Sequence, residues 1–115
     1  SKLVALCEAP IDAMSWYEAS GGEIVGIATG GVTISNEQAD LIKRSSIETI
    51  ILAGDNDKAG EKFNEMVFKK LRGYMRIVYV DYADKKDMND YIRRYSSIPA
   101  IEKSRHLYDL LDRYV

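Results

Sequence analysis

The stretch "TIILAGDNDKAG", residues 49–60, decides the fold, because a short apolar run ends in two aspartates and is closed by a glycine. Residues 49–53 have the length and the β-branched composition of a buried strand. From Ala59 onward, apolar residues recur at helical spacing as far as Leu71, and Gly73 is a typical helix end. The stretch therefore predicts a strand that leads into a helix, with Asp55 and Asp57 between them.

Three further apolar runs, at residues 3–7, 24–27 and 76–80, also have the composition of strands. Helical patterns separate them: a weak one at residues 11–19, and one at residues 34–42 that begins with the capping-box pair Ser35 and Gln38. Strands that alternate with helices indicate βαβ units. We therefore expect an α/β fold with a sheet of about four mainly parallel strands, flanked by helices.

Beyond Val80 the pattern becomes helical. Met88, Tyr91, Ile92 and Tyr95 predict a short helix, and an apolar stripe over residues 107–114 predicts a terminal helix that begins near Pro99. We expect one domain over residues 1–96. The C-terminal helix, residues 97–115, is expected to pack on that domain or on a neighbouring domain of a longer chain.

Composition excludes several classes of protein. The 115 residues suffice for one core, and 46% hydrophobic with 30% charged residues is typical of a globular protein. The net charge of −2, with its acidic excess within residues 1–91, argues against a free-standing DNA-binding protein. A single cysteine, Cys7, excludes an internal disulfide and a cysteine-cluster zinc site. With no signal peptide and no membrane-length apolar run, we expect a cytoplasmic location and no membrane partner.

Acidic residues follow the predicted strands. Glu8 follows the first strand, Asp55 and Asp57 follow the third, and Asp87 lies beyond the fourth. The carboxyl ends of parallel strands meet at one sheet edge, and a chain extended through Asn56 would turn both aspartates to the same side. Hard carboxylate oxygens suit Mg²⁺ or Mn²⁺. The pattern predicts a site at this edge for one to three such ions.

A structural alternative stays open for the same residues. The Asp-Asn-Asp tripeptide is also typical of a turn, with Asp57 as the N-cap of the following helix. Lys58, Lys85 and Lys86 flank the acids, and they either contact phosphate or form a solvated face.

Four motifs, in order, resemble a Toprim domain, the catalytic module of bacterial primases, topoisomerases and some nucleases. They are "LCEAPIDAMS" (6–15), "IATGGV" (27–32), "IILAGDNDKAG" (50–60) and "KKDMNDYI" (85–92). The Asp-Asn-Asp-Lys-Ala-Gly form is most similar to the primases and primase-helicases of bacteria, phages and mobile elements. Two positions depart from the family pattern. Ala9 stands where the family has glycine, which would carry a steric cost at positive φ, and Asn89, followed by Asp90, stands where a second carboxylate is usual.

The resemblance implies nucleotidyl transfer for primer synthesis in DNA replication, with Mg²⁺ or Mn²⁺ as cofactor. It implies three catalytic acids: Glu8, Asp55 and Asp57. It implies four metal ligands: Glu8, Asp55, Asp57 and Asp87. It also implies supporting roles for Asp12, Gly30, Gly31, Lys58, Asn89 and Asp90, with Asp12 orienting its loop and starting its helix.

The resemblance also implies partners and leaves two rival functions open. Nucleotides and a single-stranded DNA template would be bound through the parent protein, with a neighbouring zinc or basic domain and a helicase as partners. The domain alone is then expected to be inactive. One rival is a Toprim nuclease, in which water replaces the nucleotide hydroxyl. The other is a Toprim-like assembly module without catalysis.

Overall fold

The computed structural model describes residues 3–31 and 33–95, and the backbone of residues 100–102. Nine elements follow one another along these residues. They are β1 (Leu3–Cys7), α1 (Pro10–Ala19), β2 (Val25–Ala28), α2 (Asn36–Lys43), β3 (Thr49–Leu52), α3 (Lys58–Leu71), β4 (Arg76–Asp81), α4 (Met88–Tyr95) and β5 (Ala100–Glu102).

The strands form one sheet in the order β2-β1-β3-β4-β5. The first four strands are parallel, and β5 pairs antiparallel with β4. The predicted α/β fold with four parallel strands and flanking helices is thus confirmed. From β1 the chain passes through α1, on one face of the sheet, to β2. From β2 it passes through α2, on the other face, and beyond β1 to β3. The carboxyl ends of β1 and β3 therefore flank a topological switch point, where ligands bind in open α/β sheets.

Alternate residues of the central strands enter two different cores. On one face, Leu6 and Leu52 pack with Phe63 in a core that α2 and α3 cover. On the other face, Cys7 and Ala53 lie in a core with residues from α1 and α4. Because side chains of a strand alternate between the faces, both faces of this sheet are apolar and both carry helices. The two layers of helices bring their loops to the switch point from both sides.

Local sequence signals fix where the helices lie. The predicted capping box is present: the Gln38 N–H donates to Ser35 Oγ at 3.0 Å, and the Ser35 N–H donates to Gln38 Oε1 at 2.8 Å. Pro10 occupies the first turn of α1, where a missing N–H costs nothing. Gly26 in β2 lets α1 lie directly on the sheet, since a Cβ there would overlap the backbone of Ala13.

The C-terminal prediction needs a correction at its start. Residues 100–102 form β5, with Ile101 opposite Val80, so the backbone there is extended where a helix was expected to have begun near Pro99. Pairing with β5 satisfies the N–H and C=O groups along the outer edge of β4. This contact is tertiary, so the helical spacing of apolar residues could not predict it. The rest of the predicted segment, residues 97–115, lies outside the described residues. Among the described helices, none is long and apolar enough to cross a membrane.

Candidate metal centre

Three carboxylates from three separate elements meet beside the switch point. Asp12 comes from the first turn of α1, Asp55 follows β3, and Asp87 directly precedes α4. One carboxylate oxygen from each lies within 4.8 Å of the other two. Asp12 is only 3% exposed, and Asp55 and Asp87 are half-buried. The sheet therefore gathers three like charges in a partly dry place, and we call Asp12, Asp55 and Asp87 the aspartate cluster.

The first turn of α4 supports two members of the cluster. The Asn89 N–H donates to Asp12 Oδ1 at 3.1 Å, and the Asp90 N–H donates to Asp87 Oδ1 at 2.9 Å. Unpaired N–H groups at a helix start carry partial positive charge and stabilise carboxylates nearby. Asn89 and Asp90 thus serve the site through their backbone. Within residues 3–31 and 33–95, no lysine, arginine or histidine forms a salt bridge with the aspartate cluster.

Glu8 connects the two strand ends at the switch point. Its Oε1 accepts a hydrogen bond from the Asp55 N–H at 2.8 Å, across a gap of 47 residues in sequence. Glu8 is half-buried, and it lies outside the group of three carboxylates within 4.8 Å. Its negative charge nevertheless acts on both Asp55 and Asp12. Glu8 therefore belongs to the same electrostatic site while it fixes the backbone that carries Asp55.

Asp57 is placed differently from its predicted position. The Asp57 N–H donates to the Asp55 carbonyl at 2.8 Å, so the chain turns at Asn56, and the extended chain that would turn both aspartates to the same side is not present. Asp57 Oδ1 accepts from the Gly60 N–H at 2.7 Å, which confirms Asp57 as the N-cap of α3. The structure does not bring Asp57 into the aspartate cluster. Its role as a metal ligand stays a prediction.

Two glycines let α3 begin directly against the Asp55 turn. A Cβ at Gly60 would overlap the carbonyl group of Asp55, and a Cβ at Gly54 would lie 2.5 Å from the Gly60 carbonyl oxygen. The Gly54 N–H donates to Asn64 Oδ1 at 2.8 Å, which adds a side-chain contact from the second turn of α3. The sequence motif therefore contains glycine for close backbone packing as well as acids for chemistry.

Burial and the repulsion of neighbouring charges raise the pKa values of Asp55 and Asp12. Partial burial, followed by the charges of Glu8, Asp12 and Asp87, raises the pKa of Asp55 to about 7. Burial also raises the pKa of Asp12, although the N–H bond from Asn89 opposes that shift. A divalent cation would relieve this repulsion, and a set of carboxylate oxygens is the donor chemistry that Mg²⁺ and Mn²⁺ prefer. The residues present thus fit such an ion.

The remaining predicted residues lie at strand ends and helix starts. Gly30 has a φ of +74°, a left-handed conformation that favours glycine, and Gly31 beside it is exposed. Lys58 is exposed at the start of α3. Ala9 has a φ of −118°, so the steric cost expected at this position is absent. Lys85 is 3.7 Å from Asp84 in a salt bridge.

Sequence reasoning gave Asp12 a supporting role, whereas the structure places it inside the cluster. Its location in the first helical turn, four residues after Glu8, was the available signal. That signal also fits a solvated helix start, because acidic residues are favoured there. Only the packing of α1 beside α4 brings Asp12 to the Asn89 N–H and to Asp87.

The model of the Toprim-like family matches residues 5–92, a range that contains Glu8 and the whole aspartate cluster. The chain belongs to the Toprim-like family. Toprim domains generally bind divalent metal ions and act in the cleavage or transfer of nucleic acid. The aspartate cluster of this Toprim domain is therefore its candidate metal centre.

A solved structure has the same fold. It is described as a small TOPRIM domain protein from Bacillus stearothermophilus, and it superposes with a TM-score of 0.56 at 16% sequence identity. The match covers 99% of this chain and 96% of that one. At this identity the likeness concerns the Toprim fold alone. No curated protein matches the chain.

Proposed function

We propose that this Toprim domain catalyses metal-dependent nucleotidyl transfer on nucleic acid, as the catalytic core of a DNA primase or primase-helicase. One observation carries the proposal: Asp12, Asp55 and Asp87 converge within 4.8 Å at the switch point, and no described basic side chain pairs with them. Uncompensated, two such charges about 4 Å apart repel by about 4 kcal/mol at a protein-like dielectric. A cation-binding function explains why the fold retains this arrangement.

The aspartate cluster is proposed to hold one Mg²⁺ or Mn²⁺ ion. When bound, such an ion polarises phosphate oxygens and neutralises the negative charge that develops on them during phosphoryl transfer. Asp57 uses one carboxylate oxygen to cap α3 and is exposed, so its other oxygen is available to a second ion. We assign Asp57 to that second position.

Glu8 is proposed as the general base. Its Oε1 is occupied by the Asp55 N–H, which fixes the side chain at the strand ends and leaves the other oxygen to accept a proton. In the reaction, a nucleotide 3′-hydroxyl oxygen forms a bond to the α-phosphorus of an incoming nucleoside triphosphate. The bond from that phosphorus to pyrophosphate breaks, and the hydroxyl proton passes to Glu8.

Lysines near the acidic residues in sequence are proposed to bind the nucleotide phosphates. Lys58 and Lys86 are exposed, one at the start of α3 and the other in the loop before Asp87. The acidic excess over residues 1–91 gives no extended basic groove for a template strand. We therefore propose that a neighbouring basic or zinc-containing domain binds the single-stranded DNA template, and that a helicase cooperates with it.

Manganese titration of the chain, followed by calorimetry, tests the metal centre. We expect Asp55→Asn and Asp87→Asn each to weaken Mn²⁺ binding at least tenfold. Asp40→Asn, which removes an exposed carboxylate from α2, is the matched control and should leave binding unchanged. Unchanged Mn²⁺ affinity in both cluster variants would refute the proposed centre.

A product assay tests the reaction. The protein, together with the neighbouring template-binding domain proposed above, is incubated with single-stranded DNA, ribonucleotides and Mn²⁺, and labelled products are separated on a gel. We expect incorporation of nucleotides that Asp55→Asn eliminates and Asp40→Asn preserves. Metal-dependent cleavage of the strand without incorporation would replace the primase by a Toprim nuclease.

A further inference from the structure

Asn56 lies between Asp55 and Asp57, yet its hydrogen bonds go to a different part of the chain. Its side-chain Nδ2 donates to the Ala83 carbonyl at 3.1 Å and to the Lys85 carbonyl at 3.0 Å. Its backbone N–H donates to the Lys86 carbonyl. One residue of the β3–α3 turn therefore holds three carbonyl groups of the segment between β4 and α4. We call residues 82–87, which end at Asp87, the β4–α4 loop.

The β4–α4 loop has a shape that its own sequence does not favour. Ala83 has a φ of +56°, a left-handed conformation that costs an alanine about 1 kcal/mol. The loop turns back within itself through a bond from the Lys85 N–H to the Tyr82 carbonyl at 3.0 Å. Unusual backbone conformations persist where the surroundings determine them. Here the amide of Asn56 contacts the carbonyl of Ala83 itself.

The bonding pattern of Asn56 differs from that of an ordinary turn asparagine. In an Asx-turn, the side-chain oxygen accepts a hydrogen bond from the backbone two residues later. In the described part of the chain, Asn56 instead uses its side-chain nitrogen, as a donor, across 27 and 29 residues of sequence. Only a primary amide supplies two such hydrogens at this length, because aspartate has no donor when ionised and serine has one.

We propose that Asn56 is a positioning residue that holds Asp87 against Asp55 and so sets the affinity of the aspartate cluster for a divalent cation. This inference rests on the proposed function of the cluster. Asp55 is the neighbour of Asn56 in sequence, and Asp87 follows Lys86, whose carbonyl accepts the Asn56 N–H. The middle residue of the Asp-Asn-Asp motif thus determines the distance between two ligands without being one.

Asn56→Asp is the sharpest test, because it keeps the size of the side chain and removes both amide donors. The added negative charge by itself would strengthen cation binding, whereas loss of positioning weakens it, so the two effects have opposite signs. We expect Mn²⁺ affinity, measured by calorimetry on the whole chain, to fall at least tenfold. Asn36→Asp, the same change at an exposed site on α2, is the control and should change affinity less than twofold.

A double substitution separates positioning from a merely structural role. If Asn56 acts through Asp87, then Asn56→Asp in an Asp87→Asn background should no longer lower the remaining Mn²⁺ affinity, because only the added charge, which favours binding, would still act. Equal losses in both backgrounds would overturn the inference, and so would unchanged or stronger binding in the single variant. If Asn56→Asp does not fold, Asn56→Ser carries the same test with the same two outcomes.

Failure of the inference is distinguishable from failure of the proposed function. If Asp55→Asn and Asp87→Asn weaken Mn²⁺ binding while Asn56→Asp does not, the metal centre stands and the positioning role falls. If Asp55→Asn itself binds Mn²⁺ as tightly as the unsubstituted protein, the proposed centre falls first.

Discussion

Asp55 is half-buried beside the negative charges of Glu8 and Asp12, and its behaviour is the most direct test at the scale of one residue. Its pKa is about 7 in the folded chain, against 3.8 for an unperturbed group. A carboxyl group that binds its proton more tightly when folded stabilises the fold at low pH. That contribution is lost as the pH rises from about 4 to about 7.

We therefore predict that Asp55→Asn stabilises the metal-free protein at pH 8 but not at pH 4. At pH 8 the substitution removes a charge that the fold tolerates poorly, and we expect a gain on the order of 2 kcal/mol in the free energy of unfolding. Urea unfolding with a chelator at both pH values measures it. Asp40→Asn is the control. An equal gain at pH 4 and pH 8 would show that electrostatics is not the cause.

Asp57 allows its two assigned roles to be separated. Asp57→Ser keeps an N-cap acceptor for the Gly60 N–H, whereas Asp57→Ala loses it and should cost about 1 kcal/mol of stability. We predict that Asp57→Ser retains both the stability and the first Mn²⁺ ion, but loses nucleotide incorporation in the product assay. Full incorporation by Asp57→Ser would leave Asp57 with capping as its sole role.

The acids at the strand ends were predictable because strand ends follow from composition and ligands gather at one sheet edge. The assignment of each acid was less predictable. Asp57 follows Asp55 by two residues, which suggests a shared side only if the chain is extended, and one hydrogen bond turns it instead. Asp12 enters the cluster through the packing of two helices that are distant in sequence. Residue spacing predicts neither the backbone hydrogen bond that turns the chain at Asn56 nor the packing of α1 beside α4.

At the scale of elements, the start of α3 depends on its contact with the Asp55 turn. Glycine in a helix is ordinarily about 1 kcal/mol less favourable than alanine. At Gly60 the balance reverses, because a Cβ there would overlap the Asp55 carbonyl group. Gly60 is a poor helix former, but it allows the first turn of α3 to lie against the Asp55 turn.

We predict that Gly60→Ala destabilises the domain by about 3 kcal/mol and also weakens Mn²⁺ binding, since α3 and the Asp55 turn must separate. Ala59→Gly is the matched control at an exposed neighbouring position of the same helix. It should cost about 1 kcal/mol through helix propensity alone and leave Mn²⁺ affinity unchanged. Thermal unfolding and calorimetry measure both effects, and greater stability of Gly60→Ala would contradict the packing argument.

Element boundaries could be predicted where local chemistry determines them. The Ser35 and Gln38 pair marks the start of α2 by itself, and the β-branched runs mark β3 and β4. β5 could not be predicted, because three residues carry no periodicity and their conformation depends on the exposed edge of β4.

At the scale of the whole molecule, metal binding, protonation and stability are linked. An ion in the aspartate cluster requires Asp55 to be ionised, so below pH 7 it must displace a proton. We predict that Mn²⁺ affinity falls by up to tenfold per pH unit below about pH 7 and levels off above pH 8. Calorimetry in buffers of different ionisation enthalpy counts the proton released. A pH-independent affinity between pH 5.5 and 8 would contradict this linkage.

The bond between the Asn89 N–H and Asp12 spans 77 residues and joins the first helix of the domain to the last helix that the structure describes. A ribosome that synthesises this chain releases α1 long before α4 leaves the exit tunnel. During that interval the nascent chain carries Asp12 and then Asp55 without Asp87, and so lacks a complete aspartate cluster. The order of translation therefore delays assembly of the cluster until Asp87 and α4 have left the tunnel.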